Sequence, residues 1–571
     1  MWKKRPYDEK IEQEFIKQGV SKLIARLLSQ RSIKPSDFTK FSSSDYNDLT
    51  DPHTLNGVKE AADIFCNIVK KQGTVGVVGD FDVDGICSAV MLQELCNVFK
   101  LKCNVFLPSR FEHGYGLNEK SLVTIKERFK LTPDLLFITD CGGSNDKEIK
   151  ELKEWSPNIK IIVIDHHIPE TDKLSKSADV LINWHLQDNY EETCAGGEVF
   201  QFIRGIRWLT KKVDPIEFLS YAALCIVADV SPIMGNNRII VKNGLGEYAL
   251  KHVTAAGLNA LLRNSGLQGE TINQEDVSFK IAPRINAVGR LLKPDIVHKL
   301  LIEQDPNVSD VMAQKLNEHN EERKRIQKRI AKEAEAMVRD NIDKFKYGIL
   351  VHNPSWQIGL VGLIASKLSE TFCKPTLVFG GHEDIIKGSG RSFATVNLKE
   401  ILDSCSDLFV NYGGHSMAAG AVLKPEMLDG ANEVFNRACQ EYYDKHGYPE
   451  KFRYYDVDIA TKHVTVEVAK MLLDNMYPYC AQSNPEPVFL LRDATIVECE
   501  LRQKETWRML IFYAAQDGKK TELQFRMFND TIGTEINGTG NFDIFFTFPQ
   551  SVTKTKYGYP SCSVVDFVRK N

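Results

Sequence analysis

The sequence predicts a multidomain α/β protein that ends in a small β-barrel, and three features carry the prediction. Over the first ~240 residues, short apolar strand-like runs alternate with helical stretches. Residues 306–342 form one long, glycine-free, densely charged run, and from about residue 450 the chain turns β-rich with polar turns. At 571 residues the chain exceeds what a single core accommodates, so roughly two to four domains are expected. The expected division is a helical N-terminal extension over 1–50, an α/β domain over 51–305, a connecting helix over 306–342, a second α/β domain over 343–447 and the barrel over 448–571.

In the first domain the strand-like runs are "GTVGVVGD", "KCNVFLPS", "LLFITD", "KIIVIDHH" and "DVLIN", with helical segments such as 86–100 and 118–129 between them. That alternation implies βαβ units and a parallel sheet covered on both faces. In such sheets ligands bind outside the carboxyl ends of the strands.

Those ends are unusually acidic. "VVGDFDVDGICSA" places Asp80, Asp82 and Asp84 on alternate positions directly after an apolar run. Three carboxylates this close repel one another unless a cation sits between them, although a polar loop with a helix cap would use the same residue type. Three further apolar runs end alike: one in Asp140, one in Asp165, His166 and His167, and "LCIVADVSP" in Asp229. Carboxylates with one or two imidazoles suit Mn²⁺ or Mg²⁺, whereas zinc more often recruits cysteine. More carboxylates than one ion needs suggest two ions sharing a bridging ligand, the arrangement that drives water attack in phosphoester hydrolysis.

Composition excludes several classes. Hydrophobic residues make up 43% and charged residues 26%, an ordinary balance for a soluble globular protein. Apolar runs such as "LLFI" and "IIVI" are too short to span a bilayer, so no membrane association is expected. "MWKKRPYDEK" has no hydrophobic stretch of the kind a secretory signal needs. Thirteen cysteines without a CxxC pair read as reduced thiols in a cytosol-like compartment. A net charge of −4 neither announces nor excludes a nucleic-acid partner, because local charge decides phosphate binding.

Together "DFDVDG", "TDCGG", "DHH" and "ADVSP" resemble the four motifs of the DHH phosphoesterase superfamily, in order. "PSRFEHGYGLN", "CAGGEVF", "IAPRINAVGR", "SGRS" and "GGHSMAAG" extend the resemblance to its single-stranded-DNA-specific exonucleases, across nearly the whole chain. The resemblance implies a DHH catalytic domain, a DHH-associated substrate-binding domain and an oligonucleotide-binding (OB) barrel. It implies metal ligands at Asp80, Asp82, Asp84, Asp140, His166 and Asp229, with Asp140 bridging two Mn²⁺ or Mg²⁺ ions and Asp80 a less direct ligand than Asp82 and Asp84. Asp165 then orients an imidazole and His167 faces the scissile phosphate. Substrate contacts fall on Arg110, Tyr115, Arg284, Asn286, Arg290, Trp356, Ser389, Arg391 and His415. The implied activity is 5′-to-3′ digestion of single-stranded DNA in repair and recombination, by a cytoplasmic monomer working with a single-strand-binding protein and a helicase. Two other readings stand beside it: a phosphodiesterase of short oligonucleotides or cyclic dinucleotides, and a non-catalytic replication scaffold on the same fold. The long helix and the barrel argue against the first, and the retained carboxylates against the second.

Two positions depart from the resemblance. Gln357 stands where a histidine is expected after Trp356, and Trp184 stands where a proline is expected after Asn183. In the connecting helix, Arg323, Lys324, Arg325, Lys328 and Arg329 fit either a DNA backbone contact or a solvated face paired with neighbouring glutamates. In the second domain, "GSGRS" and "YGGHSMAAG" read as glycine-rich loops that approach a phosphate. In the barrel, Phe512, Tyr513, Phe525 and Phe528 are the aromatics available for stacking on bases.

Overall fold

Five parallel strands organise the first α/β domain of the computed structural model, which describes residues 1–570 apart from 110–111, 115, 130–131, 189–190, 268–271, 292–293, 382–385, 451, 505–506, 529–539 and 551–559. The strands are β1 (Thr74–Val78), β2 (Lys102–Phe106), β3 (Leu135–Thr139), β4 (Lys160–Ile164) and β5 (Val180–Ile182). Their spatial order is β2-β1-β3-β4-β5, every pair parallel. Leu135, Leu136, Phe137 and Ile138 are wholly buried, as a central strand covered on both faces requires. The order reverses between β1 and β3, so the connections after these two strands diverge and leave a crevice at their carboxyl ends. Helix α1 (Val83–Val98) follows β1, and α2 (Ala195–Leu209) and α3 (Ile216–Ala228) pack beside it.

The chain divides into two compact units: residues 1–282, 298–309 and 452–571 form one, and 283–297 with 310–451 form the other. Helix α4 (Pro306–Arg339) is the expected long helix. Its basic residues pair with glutamates of their own helix: Lys324 with Glu321 at 2.8 Å, Arg325 with Glu322 at 2.5 Å and Arg329 with Glu333 at 3.8 Å. Arg323 is buried and Lys328 exposed, so the basic run does not form one outward face. The second unit's sheet holds β6 (Ile349–His352), β7 (Thr376–Gly380), β8 (Ile386–Arg391), β9 (Phe409–Gly414) and β10 (Ala418–Leu423), ordered β9-β10-β8-β7-β6, with α5 (Val361–Phe372) between β6 and β7.

The last strands close a five-stranded barrel within the first unit: β11 (Phe489–Lys504), β12 (Trp507–Gln516), β13 (Gln524–Phe528), β14 (Asn541–Thr547) and β15 (Ser561–Arg569). Antiparallel pairs join β11 to β12, β12 to β13, β15 to β14 and β14 back to β11, while β13 and β15 run parallel. This is the OB-type closure. Phe512 and Phe525 stack at 5.3 Å inside it, and Phe546 meets Phe525 edge-on at 5.0 Å. Of the four aromatics read as available for bases, Phe512 and Phe525 are therefore core, whereas Phe528 is 66% exposed and Tyr513 half-buried.

The N-terminal helices Glu9–Lys17 and Lys22–Gln30 pack on this barrel. Phe15, Ile24, Leu27 and Leu28 share one core with Phe489, Leu491, Phe525 and Phe546. Trp2 stacks on Phe545 at 4.3 Å, and the buried Asp456 carboxylate accepts from Arg5 at 2.9 Å and Arg31 at 3.4 Å. A second fastening is Arg238, wholly buried, whose guanidinium donates to the backbone carbonyls of Phe41, Pro478 and Tyr477 at 2.7–2.8 Å and lies 3.9 Å over the Phe41 ring. Arg238→Met keeps the stem and strands three buried carbonyls, so we expect a loss of about 3 kcal/mol. Urea denaturation monitored by fluorescence checks this; an unshifted midpoint would mean that the barrel end of the unit is held by its apolar core alone.

Candidate metal centre

The turn from β1 into α1 is built around Gly85. A Cβ there would lie 2.3 Å from the Asp80 nitrogen, so only glycine lets the helix start this close to the strand end. Asp82 caps α1 by accepting from the Asp84 and Gly85 nitrogens at 3.0 and 3.2 Å. Asp84, on the first turn, has both oxygens engaged by the amino end of α2: Ala195 N donates to Oδ2 at 2.9 Å and Gly196 N to Oδ1 at 2.8 Å. A Cβ on Gly196 would meet the Cys225 sulfur at 2.3 Å and Asp84 Oδ1 at 2.9 Å. The "CAGGEVF" motif is thus a backbone cradle for one carboxylate, with the positive end of the helix dipole aimed at it.

Asp140 leaves β3 in the left-handed region (φ 61°), its amide donating to Ile164 O at 3.0 Å. This conformation, which aspartate tolerates, swings its carboxylate across the crevice toward the β1 loop. Asp165 follows β4. Its Oδ2 accepts from Gly143 N at 2.7 Å, and its Oδ1 accepts from His167 Nδ1 at 2.8 Å. His166 points the other way, with Nε2 3.3 Å from Asp140 Oδ1 and 3.8 Å from Asp84 Oδ2, and Nδ1 3.8 Å from Asp229 Oδ2. Asp229 ends a helix, α3, and not the strand that its apolar run suggested. Thirteen apolar-rich residues sustain that helix, and length separates a buried helix from a buried strand where periodicity does not.

Among the described residues, ligand-capable atoms within 4.8 Å of one another fall into two groups, Asp80 with Asp82 and Asp140, and Asp140 with His166 and His167. Asp140 belongs to both. Burial first, then Asp84, Asp82, Asp80 and Asp165, pushes the Asp140 carboxyl well above its ordinary range. Burial and Asp84 raise Asp82 as well, and the same two causes lift Asp229 to about 6. Burial alone would also raise Asp165, but the hydrogen bond and charge of His167, with the Gly143 amide, hold it below the usual carboxylate range. The bond to Asp165 in turn lifts the His167 imidazole to about 9, against the effect of burial. A cation among the carboxylates removes their mutual penalty. The donor set is oxygen and imidazole nitrogen, and the nearby Cys225 thiol turns toward the Val83 and Asp84 carbonyls at 3.9 Å, which suits Mn²⁺ or Mg²⁺.

In the second unit, Ser389 and Arg391 alternate along β8 on one face, the Arg391 Nη1 donating to Ser389 Oγ at 2.9 Å. A Cβ on Gly362, in the first turn of α5, would lie 3.2 Å from Ser389 Oγ and 3.5 Å from Arg391 Nη2, so serine, guanidinium and helix amino end converge. His415 is exposed in the β9–β10 turn, next to the strand paired with β8. Trp356 is buried, its indole donating to Glu333 of α4 at 2.9 Å, which makes it a core anchor; Gln357 beside it is exposed. Arg284 donates to Asn317 of α4 at 3.0 Å, and Asn286 has a buried side-chain oxygen with no partner among the described residues. Arg110, Tyr115 and the Arg290 side chain lie outside the described residues. Asn183, named in the sequence only for the residue that follows it, and Glu198 are both wholly buried and were not read as site residues; a lone acid inside the apolar start of α2 was the available signal for the second.

A model of the DHH family N-terminal domain matches residues 74–228 and one of the DHHA1 domain matches 344–441. The chain is 30% identical to the single-stranded-DNA-specific exonuclease RecJ of Dickeya dadantii, over 82% of this chain and 83% of that one. The chain belongs to the RecJ family. RecJ of Bacillus subtilis is also 30% identical, over 86% of this chain, which spans only 61% of the length of that relative. Among solved structures, RecJ from Thermus thermophilus in complex with Mn²⁺ covers all of this chain and 79% of its own, with a TM-score of 0.79 at 22% identity. An exonuclease RecJ bound to manganese matches 69% of this chain and 96% of its own, at 27% identity and a TM-score of 0.57.

Asp140→Asn tests the electrostatics of the RecJ-type crevice, since asparagine tolerates the same left-handed backbone. A carboxyl whose folded pKa lies above its unfolded value costs stability once pH exceeds the unfolded value near ~4. In chelator the variant should therefore melt above wild type at pH 7, with the gap closing as pH falls toward ~4. In Mn²⁺ the order should reverse. Thermal melts across pH with and without the ion decide it, and equal melting of both proteins at pH 7 in chelator would remove the charge-crowding account.

Proposed function

We propose that the protein is a metal-dependent exonuclease that digests single-stranded DNA from its 5′ end, in DNA repair and recombination. The observation that carries this reading is the cluster of Asp80, Asp82 and Asp140, with His166 Nε2 3.3 Å from Asp140, beside the Asp165–His167 pair. RecJ family membership supplies the substrate class. Asp80, Asp82, Asp84, Asp140, His166 and Asp229 would hold two Mn²⁺ or Mg²⁺ ions, with Asp140 between them. When bound, such ions lower the pKa of water and neutralise charge on the attacked phosphate.

The remaining steps belong to the chain. His167, its Nδ1 side bonded to Asp165, presents Nε2–H to a phosphoryl oxygen as charge develops there. Asp84 stays fixed in place, since two amides pin both its oxygens. Ser389 and Arg391, with the amino end of α5, bind a terminal phosphate, and arginine suits this because its planar fork donates paired hydrogen bonds.

We assign catalysis to 51–305, substrate binding to 343–447 and strand binding to 448–571. On the outer face of the barrel, register aligns Arg502, Met509 and Phe528 across three strands, with Arg526 and Tyr513 nearby. Lys520 lies 4.4 Å over the Tyr513 ring. Aromatics edged by cations are what an OB barrel uses to stack bases along a backbone track. Thirteen free thiols fit a cytoplasmic location, and a monomer recruited by a single-strand-binding protein and a helicase is the working arrangement we infer.

Nucleotide release from single strands labelled at either end, in Mn²⁺, tests the activity and its polarity. Mononucleotides should leave the 5′-labelled strand first, and release from the 3′ end would overturn the direction. Arg391→Lys should erase most of the preference for a 5′-phosphate over a 5′-hydroxyl. For the barrel, Phe528→Ala and Tyr513→Ala should each weaken binding to a long strand by about 1–3 kcal/mol while leaving hydrolysis of very short strands unchanged. Equal affinity for long strands in both variants would remove those residues as base platforms.

A further inference from the structure

Asn183 leaves β5 in extended backbone (φ −159°, ψ 122°) and opens a single 3-10 turn over Trp184–Leu186, which it caps by accepting from His185 N at 2.9 Å. Its own amide Nδ2 donates to the backbone carbonyl of His167 at 2.9 Å. Asn183 is wholly buried, so this bond ties the peptide beside the His167 imidazole to the end of β5. The backbone here is prepared for proline. The first residue of a helical turn has an N–H with no partner in its own turn, and proline, which has none, is favoured there. The preceding residue already lies in the extended region that proline demands of it.

Trp184 occupies that position and brings an N–H into a half-buried site. The N–H donates to Glu198 Oε1 at 2.6 Å. Glu198 is wholly buried in the first turns of α2, three residues beyond the Ala195 amide that holds Asp84. Nothing else among the described residues bonds to its carboxyl: the second oxygen is buried without a hydrogen-bond partner. Burial above all, and then Asp165 and Asp84, push its carboxyl well above the usual range, while the Trp184 N–H pulls the other way. A carboxyl so placed, 14 residues from its partner in sequence, has one visible job.

We propose that Glu198 is a positioning residue that does in this chain what a proline ring would do at position 184. By accepting the Trp184 N–H it locks the Asn183 turn, and through Asn183 it sets the backbone of His167 and the direction of its imidazole. The proposal rests on the reading of His167 as a phosphate-facing donor. It predicts a dependence between two positions, because the acceptor is needed only while residue 184 carries an N–H.

Four variants test it: Glu198→Val, Glu198→Gln, Trp184→Pro, and Trp184→Pro combined with Glu198→Val, each assayed on a labelled single strand in Mn²⁺ and by thermal melting. Glu198→Val alone should lower kcat by roughly tenfold to a hundredfold, with KM within about twofold of wild type, since a supporting partner is lost and no substrate contact is. Glu198→Gln keeps an acceptor of the same shape and should restore kcat. Trp184→Pro should retain activity, and adding Glu198→Val to it should cost less than about threefold. An equal fall in kcat from Glu198→Val in both backgrounds would overturn the proposal, as would an inactive but folded Glu198→Gln protein. The melting midpoints carry the same cycle independently of catalysis: Glu198→Val should lower the midpoint more with tryptophan at 184 than with proline. If wild type released no nucleotide, the exonuclease reading would fail while this coupling in stability would still be measured.

Discussion

The crowding of carboxylates at the reversal point of the first sheet is the constraint on which the rest of the site depends. Asp80, Asp82, Asp84 and Asp140 are gathered where β1 and β3 end and the connections diverge, and the first, third and fourth are almost fully buried. A folded chain keeps such a cluster only if each group is either fixed by dipoles or compensated by a cation. The first device is present in the backbone. Backbone amides from the start of α2 fix Asp84, the α1 amides fix Asp82, and the raised Asp140, Asp82 and Asp229 carboxyls are the ones a cation would compensate.

Close backbone approach makes this arrangement possible, and glycine makes the approach possible. Gly85 lets α1 begin against the strand that precedes it, and Gly196 lets α2 aim its amino end at Asp84 without striking Cys225. On the far side of the crevice the same logic runs through side chains. Gly143 and Asp165 hold His167, Asn183 holds its carbonyl, and Glu198 holds the turn that carries Asn183. The two sides meet in α2, whose first residue touches Asp84 and whose fourth touches Trp184. One helix therefore registers the carboxylate cluster against the histidine pair.

The barrel belongs to the same unit as the first sheet, and its attachment explains why the N-terminal segment is helical at all. Residues 1–50 have little apolar surface to bury alone, yet Phe15, Ile24, Leu27 and Leu28 complete the outer core of the barrel. Asp456 and Arg238 add satisfied polar ties, one an ion pair and the other a guanidinium spread over three carbonyls. The charged face of α4 has a plainer cause, since its lysines and arginines neutralise glutamates one turn away.

By itself the sequence determined the class of the protein. Strand–helix alternation, acids after apolar runs, a glycine-free charged helix and a β-rich end are local patterns, and local patterns survive in one dimension. The residues that make the centre, from Asp80 to Asp229, were legible for the same reason: each lies beside an apolar run or a motif of fixed spacing. Tertiary structure alone decided how they divide. That Asp229 ends a helix, that Trp356 is a core anchor, and that Phe512 and Phe525 are core while Phe528 is exposed depend on what packs against each residue. Glu198 shows the limit most clearly. A buried acid in an apolar helix has no meaning along the chain until the fold brings it to the Trp184 N–H, because a hydrogen bond is decided by distance and direction, and neither is written in sequence order.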